Sequence, residues 1–210
     1  ALGSLNVFKS ALSAGAKKVV FVSTGGAIYG DCLAPKTEED KPDPVSPYAI
    51  HKYAAERYLE LLHQENGLDY IVLRPANIYG PRQYKGGECG VVGIFTSNHL
   101  NGLPSIQNGD GTKTRDYVYV DDVVRALVLA MGSDKCGVYN LGRGVEVNNL
   151  EIIKAIEKIT GGKFDFTFAP DKPGEVKRSV LSYDKIKRGL GWEPAVDLEE
   201  GIRRTIAWLK

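Results

Sequence analysis

The 210-residue chain has no apolar run close to the roughly 18 residues that a membrane-crossing helix needs, so no membrane partner is expected. Cysteine is scarce. Cys32, Cys89 and Cys136 are far apart, odd in number and match no metal-ligand spacing, so packing or surface thiols in a reducing cytoplasm are the expectation. Charge of one sign is not in excess either. Lys+Arg 27 against Asp+Glu 26 leaves a net +1, which gives nucleic acid no broad attraction and leaves any anionic ligand to a local site. The only methionine is Met131, and the opening ALGSLNVFKSALSAGAKK lacks the charged-then-apolar order of a secretion signal. That opening lies inside an apolar-periodic segment (Leu2, Leu5, Phe8, Leu12) ending at Gly15, and the expectation is a processed or truncated product.

What is present alternates between two periods. A helix is predicted from about Ala1 to Ala14, then a buried strand at Val19–Val22. A polar, proline-rich loop spans Thr24 to Ser46. Ser46 reads as an N-cap and Pro47 as the first residue of a helix to about Asn66, stopped by Gly67. Tyr70–Leu73 makes the next strand. This rhythm predicts a parallel sheet covered on both faces, with chemistry at the carboxyl ends of strands. The loops after Val22 and Leu73 are therefore the first places to look. Beyond Pro75 a glycine-rich stretch, Gly86 to Gly93, leads into a helix near Val91–Leu100 and a turn at Asn108–Gly111. A strand at Tyr117–Val120, a helix capped by Asp121 to about Met131, and a strand at Val138–Leu141 follow. Helices at Leu150–Thr160, capped by Asn148 or Asn149, and at Leu198–Leu209 complete the chain.

Tyr48 and Lys52 stand four apart near the start of a helix and so share a face. A phenol with a pKa near 10 is a poor base, and a nearby ammonium favours the phenolate. Lowering it by about three units takes roughly 4 kcal/mol, which a close cation and a nicotinamide's positive charge could supply in a dry pocket. The spacing alone says little, because Tyr183 and Lys187 repeat it. Only Tyr48 lies between two predicted strand ends, Ser23-Thr24 and Arg74-Pro75.

Five segments then occur in one order: VVFVSTGGAIYG, SPYAIHKYAAE, LRPANIYGPRQ, GDGTKTRDYVYVDDVVRA and KPGEVKRSVLSYDKIKRGLGWEP. Together they resemble the extended short-chain dehydrogenase/reductase family, and within it the UDP-glucose (galactose) 4-epimerases, over essentially the whole chain. The resemblance implies an α/β fold: the carboxyl-terminal part of a Rossmann-type doubly wound parallel sheet with a small α+β substrate-binding domain. Residues 1–76 and approximately 117–142 would be the dinucleotide-binding part, and approximately 77–116 and 143–210 the nucleotide-sugar part. NAD is the implied cofactor and a UDP-sugar the implied substrate. Tyr48 would take the proton from the sugar 4-hydroxyl while C4 is transiently oxidised, and Lys52 would hold the nicotinamide ribose. Ser23 and Pro75 would line the nicotinamide end. Asn77, Val91, Val92 and Arg115 would meet the diphosphate side, Arg115 as a planar multi-donor cation. Ile106 and Asn108 would flank the base. Asn77 could instead serve a turn, Arg115 could instead pair with Asp116, and Tyr29 reads as packing.

The chain departs from that pattern in three places. Gly25 stands where the family has a Ser or Thr, leaving Thr24 or a water to complete the catalytic set. The diphosphate segment reads Lys172-Pro173-Gly174-Glu175, with Lys172 and Glu175 in place of Arg and Asp. The glycine-rich dinucleotide fingerprint is not found, so this polypeptide alone is expected to hold NAD poorly and to be inactive. Small Ser179, four past Glu175, implies tolerance of N-acetyl sugars. Gly25-Gly26 cannot move protons, which favours an epimerase over a dehydratase or decarboxylase of the same family; a non-catalytic nucleotide-binding fragment is the other alternative. Wide apolar arcs on helices 1–14 and 47–66 imply a homodimer.

Overall fold

The computed structural model describes residues 1–83, 89–171 and 175–210. Helix α1 (Leu2–Ser13) leads into strand β1 (Lys18–Val22), a four-residue helix α2 (Gly25–Ile28), the long helix α3 (Pro47–Asn66) and strand β2 (Asp69–Pro75). Next come β3 (Asn77–Tyr79), α4 (Val91–Leu100), β4 (Ser105–Asn108), β5 (Thr114–Arg115), β6 (Tyr117–Tyr119), α5 (Val120–Gly132) and β7 (Gly137–Leu141). The remainder holds β8 (Val147–Asn148), α6 (Asn149–Thr160), β9 (Phe166–Ala169), β10 (Arg178–Ser179), α7 (Asp184–Leu190) and α8 (Leu198–Leu209).

The central sheet has the order β1-β2-β7, all parallel, with Val20 opposite Ile71 and Leu73 opposite Tyr139. Parallel neighbours need crossovers, and α3 and α5 supply helices to the two sides, an α/β Rossmann-type arrangement. On one side Phe8 of α1 packs with Ala55, Leu59 and Leu62 of α3 against Val72. On the other, Val123, Ala126 and Ala130 of α5 pack with Leu73, Leu141 and Trp192. Leu181 and Ile186 join that second cluster, so the segment 181–192, placed by the resemblance with the nucleotide-sugar part, packs on the sheet. A third cluster gathers α4, α6 and α8 around Tyr79, Phe95, Ile152 and Ile202. Beside it lie short pairs: β3 with β6, β4 with β9, and β5 between β10 and β8.

Local chemistry fixes the helix that matters most. Ser46 is extended and its Oγ accepts from the Ala49 N–H at 3.2 Å; Pro47 follows at the first helical position. Gly67 closes the helix at φ 67°, a left-handed conformation suited to glycine. The α6 cap is Asn148, in a reciprocal capping box with Glu151. Two expectations need correction. The loop from Thr24 to Ser46 contains α2 and a bridge from Lys36 to Leu181. Val120 opens α5 instead of ending a strand, with Tyr119 as its cap, so Asp121 lies in the first turn. The neighbouring Asp122 explains this: its buried carboxylate accepts from the Ala195 and Val196 N–H groups, both at 3.1 Å, and helical geometry aims it there.

Candidate active site

Beyond the carboxyl ends of β1 and β2 runs a trough made of two adjoining cavities, about 490 and 390 Å³. Asn77, Val91, Arg115 and Tyr117 line both, so the two are one continuous cleft. Ser23, Thr24, Tyr48, Lys52, Pro75 and Val92 border one end. Ile106, Asn108 and Glu175 border the other, with Lys113 beside them.

At the first end, the opening turns of α3 carry Tyr48 and Lys52. The Lys52 ammonium donates to the Val22 carbonyl at 2.9 Å, at the very end of β1, and stands 5.9 Å from the centre of the Tyr48 ring. One of its three protons is thus used, and two are left to face the cleft. Tyr48 is 52% exposed along the cavity wall, open to a ligand. One turn further on, Glu56 is buried and receives Arg74 from β2 through three hydrogen bonds of 3.1, 3.1 and 2.6 Å. Ser23 Oγ also donates to Glu56. The Arg74 guanidinium reaches Tyr29 Oη at 2.6 Å, and Tyr29 donates to Asn140 at 2.9 Å. Burial works against the Arg74 charge, but the Glu56 carboxylate outweighs it and holds the guanidinium above its ordinary pKa. Tyr29 is shifted up by burial, partly offset by Arg74. Its place is structural, as the sequence suggested.

Thr24, not Gly25, borders the cavity. A Cβ at Gly25 would sit 2.7 Å from the Arg74 carbonyl, so the packing of β2 excludes a Ser or Thr there. Thr24 thus stands at the cavity wall next to Ser23, whose own hydroxyl is engaged by Glu56.

Where the two cavities meet, β5 carries Arg115. Its guanidinium donates only to the Thr114 and Lys177 carbonyls, at 2.8 and 3.3 Å, and makes no ion pair among the described residues. The carboxylate of Asp116 turns the other way, accepting from the backbone N–H groups of Arg143 and Gly144 at 2.9 and 3.0 Å and of Leu181 at 3.4 Å. Burial lifts its pKa to about 6 although those three donors pull down. Arg115 thus keeps a net positive charge at the cleft wall. Gly90, Val91 and Val92 open α4 beside it with no side-chain cap, so first-turn N–H groups and the positive helix end face the same space. Lys113, on the same face of the segment as Arg115, is held by Asp171 and Glu175 at 2.5 and 2.8 Å. Ile106 is well exposed and Asn108 half-buried at the far wall.

Of the residues expected from the sequence, Ser179 is not brought to the cleft. It is buried, pairs with Arg115 across β10 and β5, and its Oγ donates to the Gly26 carbonyl at 3.4 Å, behind the segment lining the cavity. Lys172 lies outside the described residues. Sequence reasoning passed over Glu56, Arg74 and Lys113. Glu56 continues the four-residue step from Tyr48 and Lys52, and Lys113 precedes Arg115 by two; both spacings were signals.

The NAD dependent epimerase/dehydratase family model matches residues 1–142. A UDP-glucose 4-epimerase from Mycolicibacterium smegmatis is 42% identical across all of this chain, which covers 67% of that relative. The crystal structure of a Thermotoga maritima UDP-glucose 4-epimerase with UDP-glucose superposes with a TM-score of 0.95 at 47% identity, covering 98% of this chain and 67% of that one. For a Thermus thermophilus UDP-glucose 4-epimerase in complex with NAD the TM-score is 0.94 at 42% identity, with 99% and 68% covered. The chain thus spans about two thirds of the length of each. With the family model matching residues 1–142 and a relative of 42% identity matching all of it, this chain belongs to the NAD dependent epimerase/dehydratase family.

Proposed function

We propose that this chain carries the substrate cleft and the proton-transfer residues of an NAD-dependent UDP-sugar 4-epimerase. One observation carries the reading: a single trough holds an exposed phenol with an ammonium fixed beside it at one end and, where its two cavities meet, an arginine that makes no ion pair among the described residues. Two adjoining cavities that share Asn77, Val91, Arg115 and Tyr117 suit an elongated ligand with a diphosphate in the middle. Arg115 and the first turn of α4 would take the diphosphate, with Asn77 beside it. Ile106 and Asn108 would flank the base, and Lys113 with Glu175 would face the ribose side.

Tyr48 is the proton acceptor for the sugar 4-hydroxyl and returns the proton in the second half of the reaction. Lys52, tethered to Val22, keeps two donors for ribose hydroxyls and stands beside the phenol. Thr24 supplies a hydroxyl next to that proton path. Bound NAD would supply a reversible hydride acceptor for C4, and the strand-end pocket formed by Ser23, Lys52 and Pro75 fits its nicotinamide ribose. Epimerisation requires no further acid or base. Gly26, which lines the cleft, favours it over dehydration because glycine brings no further proton-transfer group to that wall.

We divide the chain into a dinucleotide part built on 1–76 and 117–142 and a nucleotide-sugar part formed by the rest; the sheet core and the core around α4, α6 and α8 support it in outline, although Leu181, Ile186 and Trp192 pack in the first and Tyr117 and Tyr119 in the second. A homodimer through α1 and α3 is supported by Leu2, Val7, Ile50 and Leu61, all exposed on these helices; sedimentation equilibrium showing monomers alone would refute it. No described helix is long and apolar enough to cross a membrane, and with three free cysteines we place the protein in the cytoplasm.

The experiment is chromatography of UDP-glucose incubated with NAD and protein carrying this sequence. UDP-galactose is the expected product. A 4-keto-6-deoxy sugar would identify a dehydratase, and bound but unconverted UDP-glucose and NAD would identify a non-catalytic binding protein; either overturns the proposal.

A further inference from the structure

At the end of the sheet opposite the cleft, the fold brings a thiol beside a histidine and a carboxylate that lie 67 or more residues before it in the sequence. His63 lies in the last turn of α3, Asp69 opens β2, and Cys136 directly precedes β7. Their potential ligand atoms all lie within 4.8 Å of one another. Cys136 Sγ is 3.2 Å from Asp69 Oδ1, and His63 Nδ1 is 3.7 Å from that same oxygen. A tetrahedral zinc ion with bonds of about 2.0–2.3 Å places its ligand atoms about 3.3–3.7 Å apart. The two distances to Asp69 already stand near that spacing, and the histidine and cysteine atoms lie within 4.8 Å of each other.

We propose that His63, Asp69 and Cys136 form a binding site for a divalent cation of the zinc class, with water or the Leu68 carbonyl completing the coordination. The donor set selects the metal: imidazole and thiolate suit zinc or cobalt, whereas magnesium and calcium demand oxygen. Leu68 O lies 3.2 Å from His63 Nδ1, so a fourth donor is at hand. The Tyr70 ring meets the imidazole edge-on at 5.6 Å and limits its rotation. All three side chains are partly open, which gives an ion a path in. Burial, together with the Asp69 charge, holds the Cys136 proton on sulfur, opposed by the Tyr70 N–H and Lys18. Binding therefore forms the sulfur–metal bond and releases that proton to solvent, with the imidazole proton on Nε2. The bound ion would tie the end of α3 to the entries of β2 and β7, a brace remote from the cleft and independent of the proposed activity.

The test is titration of the metal-free, untagged chain with Co²⁺ under reducing conditions, followed by competition with Zn²⁺. One cobalt per chain is expected, with a near-ultraviolet thiolate-to-cobalt band, visible bands of tetrahedral intensity, and displacement by zinc. Cys136→Ser should abolish the thiolate band. His63→Gln should weaken cobalt binding more than about tenfold, since loss of even an outer-sphere partner of a metal ligand costs about 10- to 100-fold. Circular dichroism establishes that each variant is folded. Absence of the band in the parent chain overturns the site, as does a band that survives Cys136→Ser, which would put the metal on Cys32 or Cys89. Unchanged affinity in His63→Gln overturns it equally.

Discussion

Tyr48–Lys52 and Tyr183–Lys187 have the same four-residue spacing, and the structure gives the two pairs different work. Lys52 donates to the Val22 carbonyl at a strand end and makes no ion pair with a carboxylate among the described residues. Lys187 pairs with Glu193 at 2.7 Å on the surface, and that carboxylate cancels its field. Tyr48 stands open along a cleft, whereas Tyr183 precedes α7 and turns its ring edge-on to Trp192 at 6.2 Å. Spacing puts two side chains on one face of a helix. Whether they do chemistry depends on what the rest of the fold sets opposite them, and only the first pair faces the carboxyl ends of a parallel sheet.

The largest expected contrast concerns the supports of the two pairs. Arg74→Ala would leave Glu56 buried without its cation beneath Lys52, and chemical denaturation should show a loss of about 3–5 kcal/mol. Glu193→Ala, which frees Lys187, should leave the denaturation midpoint unchanged. A small loss in Arg74→Ala would mean that the buried network does not hold the catalytic end together.

Next in size is Arg115→Ala. Loss of a charge-assisted hydrogen bond to a diphosphate should weaken UDP binding about 10- to 100-fold by calorimetry, with Arg115→Lys recovering part of it. Arg188, on the α7 side of the comparison, should be replaceable by Ala with no change in UDP affinity. A pH-dependent contrast belongs to Asp116. Its folded pKa of about 6 lies above the unfolded value of about 3.9, so between those values the folded chain holds a proton that the unfolded chain releases. The contribution of this carboxyl to stability therefore declines as pH rises through that window. Asp116→Asn should give a stability profile that falls less from pH 4 to pH 6 than the parent; an identical slope would refute the assignment.

Much of this was readable beforehand because the signals were local. Ser46-Pro47 and Gly67 bounded α3 through capping chemistry, and the apolar runs at Val19–Val22 and Tyr70–Leu73 marked buried parallel strands. The residues of the cleft came from ordered motifs, and Tyr48, Lys52, Asn77 and Arg115 meet in one trough. What escaped was set by distant partners. Glu56 owes its role to Arg74, eighteen residues away on another element. Gly25 looked like a lost hydroxyl, but the Arg74 carbonyl leaves no space for a side chain there. Strands β4 and β9 are four residues each and exist through their pairing with one another, too brief for a period to show. Ser179 was placed by counting along a motif, and its strand register turned it away from the cleft.

The most direct measurement is the rate of UDP-glucose to UDP-galactose conversion by NAD-loaded protein carrying this sequence, comparing Tyr48→Phe with Tyr183→Phe. Removing the proton acceptor should slow turnover by about 100-fold or more with UDP affinity intact, while Tyr183→Phe stays within about twofold of the parent. Equal rates for the two variants would contradict a proton-transfer role for Tyr48.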